Sequence, residues 1–338
     1  MTSHQYVLSI KTKILIIRFS SIGDIVLTTP VIRCLKEQID GECEIHYLVK
    51  QQFSTILKGN PYIDVIHEFG NSLKKVTEGL EKEGFHYIID LHKNVRSSYV
   101  KKRLPGLSFA FDKLNVKKWI LVNFKIDLLP DLHIVDRYFD ATKALGIEND
   151  GKGIDYFIPE EDKISTSEMF GADPGSYVVF SIGAAHEGKK LPLYKMIELC
   201  SIIDRKIILL GGDEDIDNAS AIAAANSNVI NVCGKLRLNQ SASAIEQATL
   251  VISHDSGLMH IASAFNKKII SIWGATVPKF GMYPYNAHPD SIMIQADHLK
   301  FRPTSKLGNK NTRKERRTTE EIDLTRILEA VDKLWVGG

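Results

Sequence analysis

Short, mainly apolar runs alternate along the chain with longer amphipathic stretches. Apolar runs of about 4–8 residues are typical of strands that are buried on both faces of a sheet. The runs that predict strands are Lys13–Phe19, Glu44–Val49, Asp64–Phe69, Tyr87–Leu91, Leu107–Phe111, Tyr177–Gly183, Lys206–Gly211, Val229–Val232, Leu250–His254 and Lys268–Trp273. The stretches that predict helices are Thr29–Gln38, Leu73–Glu83, His133–Leu145, Tyr194–Ile203, Ile216–Ala225, Ser241–Ala248 and Leu258–Phe265. This alternation predicts an α/β protein with parallel sheets covered by helices.

The alternation occurs in both halves of the chain, which predicts one parallel sheet in each half. Residues 146–175 between the halves are rich in glycine, proline, serine and acidic residues, as expected of a linker region. A length of 338 residues also favours two domains. We therefore expect an amino-terminal domain over residues 1–160 and a second domain over residues 161–319.

The composition is that of an ordinary globular protein, with 44% hydrophobic and 25% charged residues. The net charge of +2 gives no support for a nucleic-acid partner. The four cysteines are scattered, so neither a zinc site nor a disulfide framework is expected. No apolar run reaches the roughly 18 residues that a membrane span needs. Met1–Gln5 shows no signal-peptide pattern, so the cytoplasm is the expected compartment.

Asp24 is the first candidate for chemistry, because it lies where the first predicted strand meets a helix-like stretch. Ligands of open parallel sheets bind beyond the carboxyl ends of the strands. An acid at this position serves either as a helix cap or as a catalytic base. The neighbouring residues alone allow both interpretations.

Polar residues also follow four predicted strands of the second half. Turn formation explains most of the glycine, serine and aspartate at these positions, but it gives less reason for Lys189, Glu214 and His260. The four segments are Ala184–Lys190, Gly212–Glu214, Asp255–Gly257 and Gly274–Thr276.

Asp255 or Ser256 predicts the cap of a helix whose free N–H groups would attract a phosphate. Gly257 would let an outside group approach the backbone, and Lys189 would add a flexible cation. His260, about one turn later, could donate to the same ligand. The alternative is a capped helix with a histidine that is satisfied inside the protein, and both interpretations stay open here.

Glu214 and Thr276 each have two interpretations as well. Glu214 could accept hydrogen bonds from a ribose or sugar hydroxyl, or it could be a charged residue in the first turn of a helix. Thr276 could contact a phosphate or sugar, or it could only form the turn before Pro278.

Three common motifs are absent from the chain. No GxGxxG follows a predicted strand, no GxxxxGK[ST] is present, and there is no HExxH or clustered His/Asp set. A typical dinucleotide fingerprint and a P-loop nucleotidase are therefore excluded, and no metal site is indicated.

Together, three blocks resemble the glycosyltransferase family 9 pattern, the ADP-heptose:lipopolysaccharide heptosyltransferases. They stand in the family's order between residue 13 and about residue 285, and together they are specific. The blocks are Arg18–Val26 with Pro30, Lys189–Pro192, and Asp255–Ala264 followed by Gly274–Pro278.

The resemblance implies a GT-B fold, in which two Rossmann-like domains with parallel sheets face a central cleft. The last helix, within residues 320–338, would then pack back toward the first domain. The implied reaction is a metal-independent, inverting transfer of a heptose from ADP-heptose to the inner core of lipopolysaccharide. Kdo-lipid A or an already heptosylated molecule would be the acceptor, and no cofactor would be needed.

The resemblance also assigns roles to residues. It favours Asp24 as the base and Lys189 as the lysine at the donor phosphates, although Lys190 beside it makes that alignment less certain. Glu214 would contact the nucleotide ribose. The other residues that would belong to the donor site are Ser21, Gly23, Asp255, Ser256, Gly257, His260 and Thr276. A base on one domain and a leaving-group site on the other would be brought together when the cleft closes.

The chain departs from many relatives in residues 299–308, where they carry cysteines and it has none. The residues that follow, as far as Arg317, are strongly basic. They form either a solvated mobile loop or a surface for an acidic glycolipid or membrane headgroups. A second basic cluster, with Arg96, Lys101 and Arg103, could bind an acidic acceptor or could be a solvated helix face. The two basic clusters therefore allow peripheral contact with the inner membrane.

Two other functions stay open. A nucleotide-sugar epimerase of the same fold would need no acceptor, and the Ser21–Asp24 loop argues against it. A non-catalytic nucleotide-sugar binding protein is the other alternative, and the presence of both Asp24 and Lys189 argues against it. The nucleotide, the sugar, the acceptor hydroxyl and the oligomeric state do not follow from the sequence.

Overall fold

The computed structural model of the chain describes residues 11–335. Its strands, β1 to β11 in chain order, are Thr12–Ile17, Cys43–Lys50, Val65–Phe69, Tyr87–Asp90, Leu107–Ala110, Tyr177–Ser181, Lys206–Leu210, Val229–Asn231, Leu250–His254, Lys268–Trp273 and Ile292–Gln295. Its α-helices, α1 to α13, are Ile22–Val26, Thr29–Gln38, Leu73–Leu80, Val95–Arg103, Asn115–Phe124, Ile134–Tyr138, Thr166–Phe170, Leu193–Ile202, Ile216–Ala225, Leu238–Gln247, Gly257–Ala264, Arg313–Glu320 and Leu324–Trp335. All ten predicted strands are present, and β11 is an addition.

The first compact unit comprises residues 11–113 together with Val135–Gly151. Its five strands are parallel and lie in the order β3-β2-β1-β4-β5. The central strand β1 is apolar because both of its faces are covered, and Ile14 to Ile17 have no exposed surface. The chain proceeds outward from β1 to β3 and then returns to β4, so the strand order reverses between β1 and β4.

The second unit comprises Leu114–Ile134 and residues 152–335. Its six parallel strands lie in the order β11-β10-β9-β6-β7-β8. The order reverses between β6 and β9. In open α/β sheets the ligand crevice forms at such a reversal, outside the carboxyl ends of the two strands.

The division into units differs from the predicted boundary at residue 160. The first unit ends at Gly151, and residues 114–134 lie with the second unit, where Leu121 and Leu129 pack against Phe280. Helix α13 contributes Ile327, Val331 and other side chains to the core of the second unit. Its expected packing toward the first domain stays a prediction.

Within residues 11–335, no helix is both long and apolar enough to cross a bilayer. All four cysteines are buried and free. Met1–Gln5, where the sequence shows no signal-peptide pattern, lie outside the described residues.

Candidate active site

Asp24 lies in α1, directly beyond the carboxyl end of β1, and its side chain is 25% exposed. Arg18 Nη2 lies 2.6 Å from Asp24 Oδ1. The Ser21 hydroxyl and the Ser21 backbone N–H donate to Asp24 Oδ2 over 2.9 and 3.3 Å. The carboxylate therefore caps the start of α1, and it also keeps an exposed part that a substrate could reach. The two interpretations of Asp24 are compatible in this geometry.

Arg18 fixes the position and the charge of Asp24. Its Nε donates to the carbonyl of Ser20 (2.8 Å) and its Nη1 to the carbonyl of Leu91 (2.6 Å), so it joins the ends of β1 and β4. Burial would raise the pKa of Asp24, but the charge of Arg18 and the hydrogen bonds from Ser21 outweigh it and lower this pKa below its ordinary value. Asp24 is therefore ionised at neutral pH.

His92 is a candidate that the sequence analysis missed. It follows β4, and so it lies at the strand-order reversal beside β1. Its ring packs on Phe19 with centroids 4.7 Å apart, and its Nδ1 is buried without a hydrogen-bond partner within residues 11–335. Burial, followed by the charges of Arg18 and Lys113, lowers the pKa of His92 to about 4. A neutral imidazole with an unused nitrogen can bind a sugar hydroxyl. Its signal in the sequence is its position directly after the predicted strand Tyr87–Leu91.

The basic cluster on α4 is largely engaged within the first unit. Lys101 Nζ lies 2.9 Å from Oδ2 of the fully buried Asp90, and Arg103 Nε lies 2.6 Å from Glu81 Oε1. Arg96 is exposed. Lys101 thus neutralises a buried carboxylate, and an acceptor role for Arg96, Lys101 and Arg103 stays a prediction.

Three predicted donor-site residues meet in the second unit. Lys189 Nζ lies 2.7 Å from Asp255 Oδ2 and donates to the Asp255 carbonyl over 3.3 Å. The Thr276 hydroxyl donates to the same Oδ2 over 2.8 Å. The three residues follow β6, β9 and β10, which are adjacent in the sheet. The cluster therefore lies at the strand-order reversal, where a ligand is expected.

Lys189 and its neighbour Lys190 have different surroundings. Lys190 Nζ is buried and lies 3.0 Å from both Asp215 Oδ1 and Glu187 Oε1. Lys189 points instead to Asp255, at the beginning of the loop before α11. Of these two lysines, Lys189 is the one beside the predicted donor loop, and its assignment to the donor phosphates stays a prediction.

The other donor-loop residues surround α11. Ser256 precedes this helix and its hydroxyl lies 3.1 Å from that of Ser253. Gly257 is the first residue of the helix, and His260 is buried one turn later. The predicted helix is thus confirmed, with Ser256 at its N-cap position, but the Ser256 side chain makes no capping hydrogen bond. The roles of Ser256, Gly257 and His260 toward a donor stay predictions.

Glu214 lies beyond the carboxyl end of β7, which is adjacent to β6. It is exposed, and its carboxylate folds back over Gly212, where a Cβ atom would collide with it. The carboxylate of Asp215 beside it is buried and accepts a hydrogen bond from the Gly212 N–H (3.1 Å). Glu214 is thus exposed beside the donor-side strands, and its contact with a ligand hydroxyl stays a prediction.

The basic segment after residue 303 is built onto the Lys189 turn. Glu315 is fully buried and accepts hydrogen bonds from the Ser305 hydroxyl and the Asn311 N–H, both over 2.6 Å. The Gly188 N–H donates to the Gly308 carbonyl over 3.1 Å. The buried Glu315 thus fixes this segment against the residue that precedes Lys189.

Gly274→Ala is expected to lower the free energy of unfolding by about 1–3 kcal/mol and to weaken donor binding. A Cβ atom here would overlap Thr319 Cγ2 and the carbonyl oxygen of Gly188, and so would displace the Lys189 turn. Gly79→Ala is the matched control, since its Cβ would meet nothing within 4 Å in helix α3. Urea unfolding and calorimetric titration with donor measure both effects. Equal stability of the two variants would contradict this packing.

No group of three or more His, Cys, Asp or Glu side chains within residues 11–335 is arranged to hold a metal ion. Metal independence remains a prediction that requires measurement.

Comparison with known proteins finds a matching family, related proteins and solved structures of similar fold. The model of "Glycosyltransferase family 9 (heptosyltransferase)" matches residues 73–310. The chain is 27% identical over 293 residues to lipopolysaccharide heptosyltransferase 1 of Campylobacter coli, covering 78% of this chain and 84% of that protein. Two solved structures are each 20% identical in sequence to this chain. The ADP-heptose lps heptosyltransferase II of E. coli has a TM-score of 0.73 and covers 96% and 99% of the two chains. A glycosyl transferase family 9 protein of Veillonella parvula has a TM-score of 0.75 and covers 97% and 98%.

Proposed function

Since the chain belongs to glycosyltransferase family 9 and is a glycosyltransferase with a GT-B fold, we propose that it transfers a heptose from ADP-heptose to the inner core of lipopolysaccharide. The names of its relatives in Campylobacter coli and E. coli support the sugar, the nucleotide and the acceptor class. The observation that carries the proposal is the Lys189–Asp255–Thr276 cluster at the strand-order reversal of the second unit.

The second unit binds the donor in this proposal. Lys189 stabilises the negative charge that develops on the departing diphosphate, and the free N–H groups at the start of α11 support it. Glu214 accepts hydrogen bonds from the ribose, and His260 and Thr276 complete the donor site. The transfer uses no metal or cofactor, because these groups supply the charge stabilisation themselves.

The first unit supplies the base. Asp24 accepts the proton of the acceptor hydroxyl while this hydroxyl attacks the anomeric carbon, in a single displacement that inverts the configuration. A carboxylate with a lowered pKa is a weak base, so it takes the proton only as the new bond forms and the hydroxyl becomes acidic. Arg18 keeps the carboxylate ionised and oriented. The predicted contribution of Ser21 and Gly23 to the donor site stays part of the proposal.

Arg18→Met is expected to move the acidic limb of the pH profile of kcat/KM to higher pH. With Arg18 present, the pKa of Asp24 lies below its ordinary value of about 3.9, so wild-type activity stays independent of this group above about pH 5. Without Arg18, burial of the carboxyl dominates and raises the pKa. Ser21→Ala removes one hydrogen bond and should cause a smaller shift in the same direction. Unchanged limbs in both variants would exclude Asp24 as the group that must be ionised.

The same lowered pKa affects stability in a defined direction. Stabilisation from the Arg18–Asp24 pair is fully present above the unfolded-state pKa of about 3.9, and it is lost as the pH falls through the lower folded-state value.

The donor and the acceptor are tested directly with purified enzyme. A panel of ADP-, UDP- and GDP-sugars is incubated with Kdo-lipid A and with heptosylated acceptors, and the products are identified by mass. Addition of one heptose residue from ADP-heptose supports the proposal. Isomerisation of the donor without acceptor would favour the epimerase, and donor binding without any product would favour the binding protein. The proposed location is the cytoplasmic face of the inner membrane, where a glycolipid acceptor is accessible.

A further inference from the structure

Residues 114–134 present an apolar surface to solvent. Of the fourteen large hydrophobic side chains that are exposed within residues 11–335, six lie in this segment. The rings of Trp119 and Phe124 contact each other with centroids 5.5 Å apart. Scattered exposed apolar residues need no explanation, but a cluster marks an interaction surface. We call this set the apolar face; its members are Val116, Trp119, Phe124, Ile126, Leu128 and Leu132.

The segment is anchored, so its exposure does not reflect a loose chain. On its inner side, Leu121 and Leu129 pack against Phe280. Lys125 Nζ donates to the carbonyl of Pro303 over 2.6 Å. Helix α5 thus already buries one side in the second unit and still carries Trp119, which is 58% exposed, on another.

A row of cations lies beside the apolar face. Lys306 Nζ donates to Asn115 Oδ1 at the start of α5. Burial is the main cause that lowers the pKa of Lys125, and the charges of Lys314 and Lys310 lower it further. Both lysines therefore lie near residues 114–134. Leu307 adds a further apolar side chain that is 48% exposed. We call the exposed cations of residues 306–317 the basic border; they are Lys306, Lys310, Arg313, Lys314, Arg316 and Arg317.

Some of the nearby charges are compensated. Within residues 114–134, the carboxylates of Asp127 and Asp131 both lie within 3.7 Å of Lys279 Nζ. In the basic border, Arg317 pairs with Glu321. No acidic partner is recorded for Lys310, Arg313 or Lys314 in the part of the chain that the structure describes, so the border keeps an excess of positive charge.

This combination fits an anionic bilayer surface. Helix α5 has ten residues, which corresponds to about 15 Å, so it is too short to span a membrane and suited to lie on one. Tryptophan and phenylalanine prefer the interfacial region, and adjacent lysine and arginine are attracted by anionic headgroups. A second copy of the chain would cover the apolar face but would gain nothing from Lys310, Arg313 and Lys314.

We propose that the apolar face and the basic border together dock the enzyme onto the anionic surface of a lipid bilayer. This inference rests on the proposed function in one respect, because a lipid-linked acceptor requires the enzyme to work at a membrane surface. The docking itself is a property of residues 114–134 and 306–317 and can be measured without any transfer reaction.

The test is co-sedimentation of the full chain with vesicles of phosphatidylcholine that contain about one third phosphatidylglycerol. The wild-type chain is expected to bind these vesicles, and to bind them less at high salt, because salt screens the charges. The double variant Trp119→Ser/Phe124→Ser should reduce the partition coefficient about tenfold or more, since two apolar side chains no longer enter the interface. Trp119 should also be quenched by brominated lipids, whereas Trp273 is buried and should not be.

Tyr194→Ser is the matched control, because Tyr194 is an aromatic residue of the second unit with 57% exposure outside the apolar face. It should bind vesicles as the wild type does. Equal binding by the double variant would overturn the proposal. A dimeric wild type together with a monomeric double variant in sedimentation velocity would also overturn it. Transfer to a water-soluble, deacylated acceptor should be unchanged in the double variant. If the wild type binds vesicles but transfers nothing, the docking stands and the proposed function fails.

Discussion

Asp24→Ala is expected to lower kcat by about 10²–10⁴-fold, the usual contribution of a well-placed general base. The donor affinity should stay close to that of the wild type, because the donor cluster belongs to the second unit and Asp24 to the first. The physical reason is that no other group contacts the acceptor proton in the proposed displacement. Steady-state kinetics with heptosylated and unheptosylated acceptors, together with calorimetric titration of ADP-heptose, would measure both quantities.

One further variant, Asp24→Asn, separates the base from the cap. Asp24→Asn keeps a side-chain oxygen that can accept from the Ser21 N–H, but it removes the negative charge that takes up the proton. If Asp24 acts only as a cap, Asp24→Asn should retain most of its activity and Asp24→Ala should mainly lose stability. If it acts as the base, both should be inactive at temperatures where both are folded. Transfer by Asp24→Ala at the wild-type rate would eliminate the base assignment.

The strands could be predicted because their burial on two faces requires apolar runs. Lys13–Phe19 and Leu250–His254 illustrate this, since the corresponding strands β1 and β9 are central in their sheets. The convergence of Lys189, Asp255 and Thr276 could also be anticipated, because carboxyl ends of neighbouring parallel strands share one edge. Which strands are neighbours could not, since strand order depends on long-range pairing.

Other features had no local signal. Strand β11 is short and partly exposed, so its residues do not form a buried apolar run. Helix α5 was not predicted, and its outward apolar residues gave no indication of which unit it joins. The ion pair of Arg18 with Asp24 and the burial of Glu315 are tertiary contacts that neither residue type reveals. These contacts decide the charge of the proposed base and the position of the Lys189 turn.

Lys189→Ala is expected to reduce kcat/KM by about 10²–10³-fold and, unlike Asp24→Ala, to weaken donor binding as well. Lys189 carries the cation of the cluster at the strand-order reversal, 2.7 Å from Asp255 Oδ2. An ammonium facing a diphosphate contributes to binding the donor, and it contributes more as negative charge develops on the leaving group. Calorimetric titration with ADP-heptose and with ADP separates the two contributions from turnover.

The loss of Lys189 also leaves the buried Asp255 carboxylate without its cation, which would destabilise the second unit. The double variant Lys189→Ala/Asp255→Asn removes this uncompensated charge, so it should recover stability without recovering donor binding. Lys190→Met provides the opposite contrast, because Lys190 pairs with Asp215 and Glu187 away from the donor loop. It should lower the melting temperature yet bind ADP-heptose below that temperature. Normal donor binding by Lys189→Ala, or a loss of donor binding only in Lys190→Met, would show that Lys190 and not Lys189 contacts the donor phosphates.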